Sequence, residues 1–73
     1  MHQNLGKRLK ALRRRRGMTQ SDLARRAGLS LGYLARLELG RHDPSLTTVR
    51  KLARALKVTV ADLAGQLEIP GRL

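Results

Sequence analysis

The stretch from Thr19 to Glu38, TQSDLARRAGLSLGYLARLE, holds two short apolar-periodic segments that meet at Gly28. Neither can stand alone, because isolated helices below ~12–15 residues are marginal in water. Leu23, Ala24 and Ala27 form one apolar stripe, and Leu34 and Leu37 form another. Both stripes face one shared core only if the chain turns sharply between them, and Gly28 takes a positive φ at little cost. Thr19-x-x-Asp22 opens the first segment as a capping box, with Asp in place of the usual Glu, and such a cap is worth ~1 kcal/mol. Ser30 caps the second. The stretch therefore predicts a helix, a tight turn and a second capped helix.

The flanking sequence repeats the same logic. Leu5, Leu9 and Leu12 lie at i, i+4, i+7 on one face of a first helix, expected from about Asn4 (as N-cap) to Arg16, with Gly17 closing it. Met18 stands ready to staple against Leu23. After the third helix, about Leu31 to Leu39, Gly40 and the loop Arg41-His42-Asp43-Pro44 lead to Ser45. Ser45 caps a fourth helix to about Lys57, whose expected core face is Leu46, Val49, Leu52, Ala53 and Leu56. Thr59-x-x-Asp62 is a second capping box and starts a short fifth helix carrying Val60 and Leu63. Nothing alternates as a strand does. The expectation is an all-α, compact five-helix bundle. It forms one domain over residues 1–73, with a core of about 5–64 and a C-terminal tail at 65–73.

Sixteen Lys and Arg stand against five Asp and Glu, a formal charge of +11 on 73 residues. That excess favours a polyanionic partner. Tyr33 is the single aromatic residue. Single-strand binders rely on aromatic stacking, so the composition argues against them, and less against duplex DNA, gripped through phosphates and groove edges; an anionic membrane surface is the other polyanion the charge would suit. The chain has no cysteine, which fits a reducing compartment without proving one, and the expected location is cytoplasmic and nucleoid-associated. No run reaches the ~18 apolar residues of a membrane span, and no signal peptide is visible. His2 and His42 lie far apart with few carboxylates nearby, so neither a metal nor a cofactor is expected. Five acidic residues offer no catalytic constellation, and no enzyme activity is expected.

At this point the chain resembles the Cro/lambda-repressor-type, or XRE-type, helix-turn-helix family. The residues that carry the likeness are Leu9 to Arg13 with Gly17, Thr19-Gln20, Leu23-Ala24, Ala27-Gly28, Leu34, Leu37-Glu38 and Gly40. Pro44-Ser45-Leu46, Leu52-Ala53-x-x-Leu56 and Val60 to Leu63 follow in order. The resemblance implies a DNA-binding transcriptional regulator of a prokaryote or phage, a repressor, that binds an inverted-repeat operator as a homodimer with helix 3 in the major groove. By position, Leu31, Gly32 and Arg36 match base-facing residues, and Gln20, Gly40 and Arg41 match phosphate-contacting ones. The caps Thr19 and Ser30 stand beside them. Arg13 and Glu38 match a pair joining helix 1 to the end of helix 3.

The residues qualify this picture. Arg36 lies one and a half turns into helix 3, where a guanidinium can grip guanine O6 and N7 together. Tyr33 either meets DNA through its hydroxyl or packs against Leu29 or the helix 4 side. Leu31 and Gly32 depart from the polar residues usual in the family: Leu31 can touch a thymine methyl but cannot hydrogen-bond a base. Val60, Leu63, Leu67 and Ile69 exceed what one small core needs and suggest a two-fold interface near helix 5, although Val60 and Leu63 equally serve to close the core. An alternative gives the fold a second, toxin-like protein as its main partner.

Overall fold

Five α-helices follow one another in the structure, a computed structural model that describes residues 3–64. They are α1 (Gln3–Arg15), α2 (Gln20–Ala27), α3 (Leu31–Glu38), α4 (Leu46–Leu56) and α5 (Val60–Ala64). No strand occurs among the described residues, and no helix there is long and apolar enough to cross a membrane.

The helices start where the hydroxyl residues put them. Thr19, Ser30 and Ser45 are extended and accept hydrogen bonds from the amides of Asp22, Tyr33 and Thr48 at 2.9, 3.1 and 3.1 Å. Both expected capping boxes close. The Asp22 carboxylate accepts from the Thr19 amide at 2.9 Å, and the Asp62 carboxylate from the Thr59 amide at 3.2 Å. These amide bonds, followed by those from the threonine hydroxyls, hold both carboxyls below the ordinary aspartate value. One expected cap fails. Asn4 lies inside α1, which already begins at Gln3 and ends at Arg15.

Four helices end in the same way. Gly17, Gly28, Gly40 and Lys57 lie in the left-handed region, and the next amide in each case reaches back to the carbonyl five residues earlier. At Gly28 the φ is 72° and the Leu29 amide meets the Ala24 carbonyl at 2.8 Å. That closure is the sharp turn the two apolar stripes require. Lys57 makes the same closure at φ 59° with a side chain that disfavours it.

The core is built almost wholly of leucine and alanine. Leu9, Leu23, Leu34, Leu52, Leu56 and Leu63 are fully buried, each contributing roughly 1.5–3 kcal/mol of burial. α1 packs on α3 and α5, α2 on α3 and α4, and α4 on α5. Leu46 departs from its expected place: it is 58% exposed in the first turn of α4, while Pro44, just before it, is buried. α1 and α3 approach closely. Gly6 is buried there, and a Cβ at that position would stand 2.5 Å from the Leu37 carbonyl oxygen and 2.7 Å from that of Glu38.

Candidate nucleic-acid interface

The α2–turn–α3 unit leaves one face of α3 uncovered. Leu34, Leu37 and Glu38 point inward, whereas Leu31, Gly32 and Arg36 are exposed. Three expected base-facing residues therefore share the open side of one helix. Arg36 folds back along it: its Nη1 lies 3.6 Å from where a Gly32 Cβ would stand. That is ordinary contact distance, so the glycine is not required by space.

Tyr33 packs against the core and makes one further contact that the sequence-based options did not include. Its ring is half-buried against the core and meets the ring of His42 edge-on, with centroids 5.2 Å apart and planes at 86°. This T-shaped contact ties the loop after α3 to the helix itself. No periodicity signals it, because His42 lies in an irregular segment.

Behind the open face sits a polar knot. The Glu38 carboxylate accepts from Arg13 Nε at 2.6 Å and Nη2 at 3.1 Å, a two-pronged pair, and from Gln20 Nε2 at 2.9 Å. Arg13 Nη1 donates to the Met18 carbonyl at 2.8 Å. Both charged residues are buried, and no buried side-chain polar atom among the described residues lacks a partner. The knot joins α1, the entry to α2 and the end of α3. The expected pair of Arg13 and Glu38 is thus brought together, and Gln20 is drawn into it, a contact absent from the sequence-based expectations. Gln20 keeps a second amide hydrogen for an outside acceptor.

The remaining expected contacts lie around this edge. Thr19 and Ser30 use their oxygens as cap acceptors and keep one hydroxyl hydrogen each. Gly40 is half-buried at φ 76°, and Arg41 is exposed beside it. Of the basic run at the end of α1, Arg16 donates to the Lys57 carbonyl at 3.2 Å, while Arg8 donates to the Asp62 carbonyl. Those two arginines fasten α1 to the C-terminal part of the fold. Among the residues expected at a two-fold interface, Leu63 is fully buried in the chain's own core and Val60 is half-buried against it. Both serve the core-closing role. Leu67 and Ile69 lie outside the described residues. Among the described residues no group of His, Cys, Asp and Glu could hold a metal.

Comparison with known proteins agrees with this geometry. A family profile described as helix-turn-helix matches residues 9–63. The immunity repressor protein of Bacillus phage phi105 is 44% identical over 62 residues, covering 85% of this chain and 43% of that protein. The transcriptional regulator DdrOP3 of Deinococcus deserti is 43% identical over 67 residues, covering 92% of this chain and 52% of its own. The chain thus spans about half the length of these two relatives. Among solved structures, the restriction-modification controller protein C.AhdI of Aeromonas hydrophila superposes with a TM-score of 0.82 at 36% identity, over 84% of this chain and 92% of that one. SinR, a master regulator for biofilm formation, superposes in its complex with DNA with a TM-score of 0.79 at 33% identity, over 82% of this chain and 97% of that one. SinR in its complex with SinI protein superposes at 0.80 and 32%, over 85% of this chain and 61% of that one. The chain belongs to the lambda-repressor-like, XRE-type helix-turn-helix family.

Proposed function

We propose that this domain is a sequence-specific duplex-DNA-binding transcriptional regulator, a repressor, that acts as a homodimer on an inverted-repeat operator. The observation that carries the reading is the open face of α3 held by the Glu38 knot. In this reading α3 enters the major groove and α2 crosses the backbone. Arg36 offers two parallel donors to a guanine edge, and Leu31 offers a methyl contact to thymine. Gln20 presents its second amide hydrogen to a phosphate at the start of α2, where unpaired backbone N–H groups already favour an anion. Thr19, Ser30, Gly40 and Arg41 extend the phosphate contacts along the same edge.

Gln20 and Arg36 act differently. Gln20 positions the domain on the backbone, and Glu38 couples that contact to the end of the reading helix. Arg36 supplies sequence preference. A dimer would space two reading helices by roughly 34 Å, one turn of DNA, with half-sites about 10 base pairs apart. Residues beyond α5, with Leu67 and Ile69, would supply the apolar contact between copies.

Footprinting on DNA flanking the gene tests the reading: protection of an inverted repeat, with affinity that falls steeply with salt, is the expected outcome. Each phosphate contact should add about −0.9 to the slope of log affinity against log salt. Binding indifferent to salt, or protection of no discrete site, would overturn it. A second reading, with a toxin-like protein as main partner, draws on the similar fold found in the SinR–SinI complex. Co-purification of an equimolar second chain would favour it.

A further inference from the structure

The C-terminal ends of α2 and α4 lie side by side and enclose a groove of about 560 Å3. Its apolar floor is Ala27 and Ala55. Its walls are Arg25 and Arg26 from α2, Lys51 and Arg54 from α4, and Lys57 just beyond. Among the described residues no carboxylate lines it, and of these five cations Arg25 is in an ion pair there, an exposed one with Asp22 at 3.1 Å.

Like charges gathered around one concavity repel and focus a positive field into it. The helix dipoles account for part of the gathering, since Arg25, Arg26 and Arg54 sit in last turns. They do not account for Lys51, in the middle of α4, and the dipole at the C-cap of α4 would favour a cation at Lys57 without requiring a left-handed lysine there. Lys57 occupies a left-handed position at φ 59°, where the corresponding ends of α1, α2 and α3 carry glycine. The chain tolerates an unfavourable backbone there and gains a cation on the rim of the groove.

We propose that this groove docks an acidic, amphipathic segment of a partner protein, with apolar side chains on the alanine floor and carboxylates against the basic walls. The floor favours a polypeptide over a nucleic acid. A phosphate backbone has no apolar edge to place there, and no aromatic ring lines the groove to stack a base. The groove lies at the opposite end of α2 from Gln20, roughly 10 Å along a helix rising ~1.5 Å per residue. None of Leu31, Gly32, Tyr33 and Arg36 lines the groove, so an occupant sits beside the open face of α3 and not on it.

The test uses the full chain and a synthetic 14-residue peptide carrying Glu and Leu at helical spacing, followed by amide NMR near physiological salt. Two controls are the same peptide with Leu replaced by Ser, and a short oligothymidine of equal charge. The acidic Leu peptide should shift the amides of residues 25–28 and 51–57 and leave residues 31–36 unmoved. Lys51→Glu with Arg54→Glu should weaken it about tenfold or more with an unchanged helical circular-dichroism spectrum. Lys57→Gly separates binding from folding: it should raise the melting temperature yet weaken the peptide. Shifts centred on α3, equal binding by the Ser control, tighter binding by oligothymidine at the same amides, or unchanged peptide affinity in Lys57→Gly would each overturn the proposal.

Discussion

Glu38 is where fold and proposed function meet. Its carboxylate is buried, and its hydrogen bonds come from Arg13 and Gln20, which belong to two other helices. Removing it strands the Arg13 guanidinium in the interior, a loss that costs ~3–5 kcal/mol. Glu38→Ala should therefore lower stability in urea denaturation by that order. Asp62→Ala, which removes only an exposed capping contact, should cost far less; equal losses would contradict the buried knot. The sequence made the pairing of Arg13 with Glu38 legible only through the family's pattern, since the residues are far apart in the chain and nothing local links them. The Gln20 bond was not legible at all. It depends on how α2 enters the bundle, and periodicity does not carry that information.

The capping carboxylates add a pH dependence at the same scale. Thr19 and Thr59 amides hold Asp22 and Asp62 below the ordinary value of 3.8 in the fold. The folded state thus binds protons less readily than the unfolded one. The contribution is fully present above the unfolded value and disappears as pH falls through the lower folded one. Melting temperatures followed from about pH 6 down to about pH 2 should drop more for the native chain than for Asp22→Asn with Asp62→Asn. Parallel curves would show that the boxes contribute nothing through charge.

Helix beginnings were the most legible elements, because Thr19, Ser30, Ser45 and Thr59 combine a cap acceptor with an apolar run behind it. Crossings between elements were not legible. Gly6 went unremarked in the sequence; a glycine inside a helix ordinarily costs roughly 1 kcal/mol against alanine. In the fold Gly6 is the contact point of α1 with the last carbonyls of α3. Gly6→Ala would drive a Cβ into two backbone oxygens, at 2.5 and 2.7 Å, which only a shift of the whole helix relieves. The expected result is a loss of about 1–3 kcal/mol, as for overpacking elsewhere, instead of the gain that helix propensity alone would give. Chemical denaturation decides the sign. Leu46 failed for a related reason: helical spacing marks a face, but a residue in the first turn faces inward only if a neighbour covers it, and here 58% of it stays exposed.

Across the whole molecule, the +11 charge is distributed with a purpose that composition alone could not reveal. Some cations fasten the bundle, as Arg8, Arg13 and Arg16 do. Arg36 and Arg41 lie open around α3, and a further set crowds the groove between α2 and α4. The first role needs tertiary pairing of distant segments, so the sequence showed the charge without its division. What the sequence did convey was the helix-turn-helix itself and the family it belongs to. Which bases it prefers remained less legible, because Leu31 and Gly32 bring few hydrogen-bonding groups to the open face. In the proposed reading, direct readout concentrates on Arg36.

The measurement that bears most directly on this account is the affinity of native chain and Arg36→Ala for the footprinted operator and for a scrambled duplex, at one fixed salt concentration. The account predicts that Arg36→Ala weakens operator binding by about 1–3 kcal/mol and leaves scrambled binding nearly unchanged, so the two affinities converge. An unchanged ratio of operator to scrambled affinity would contradict it.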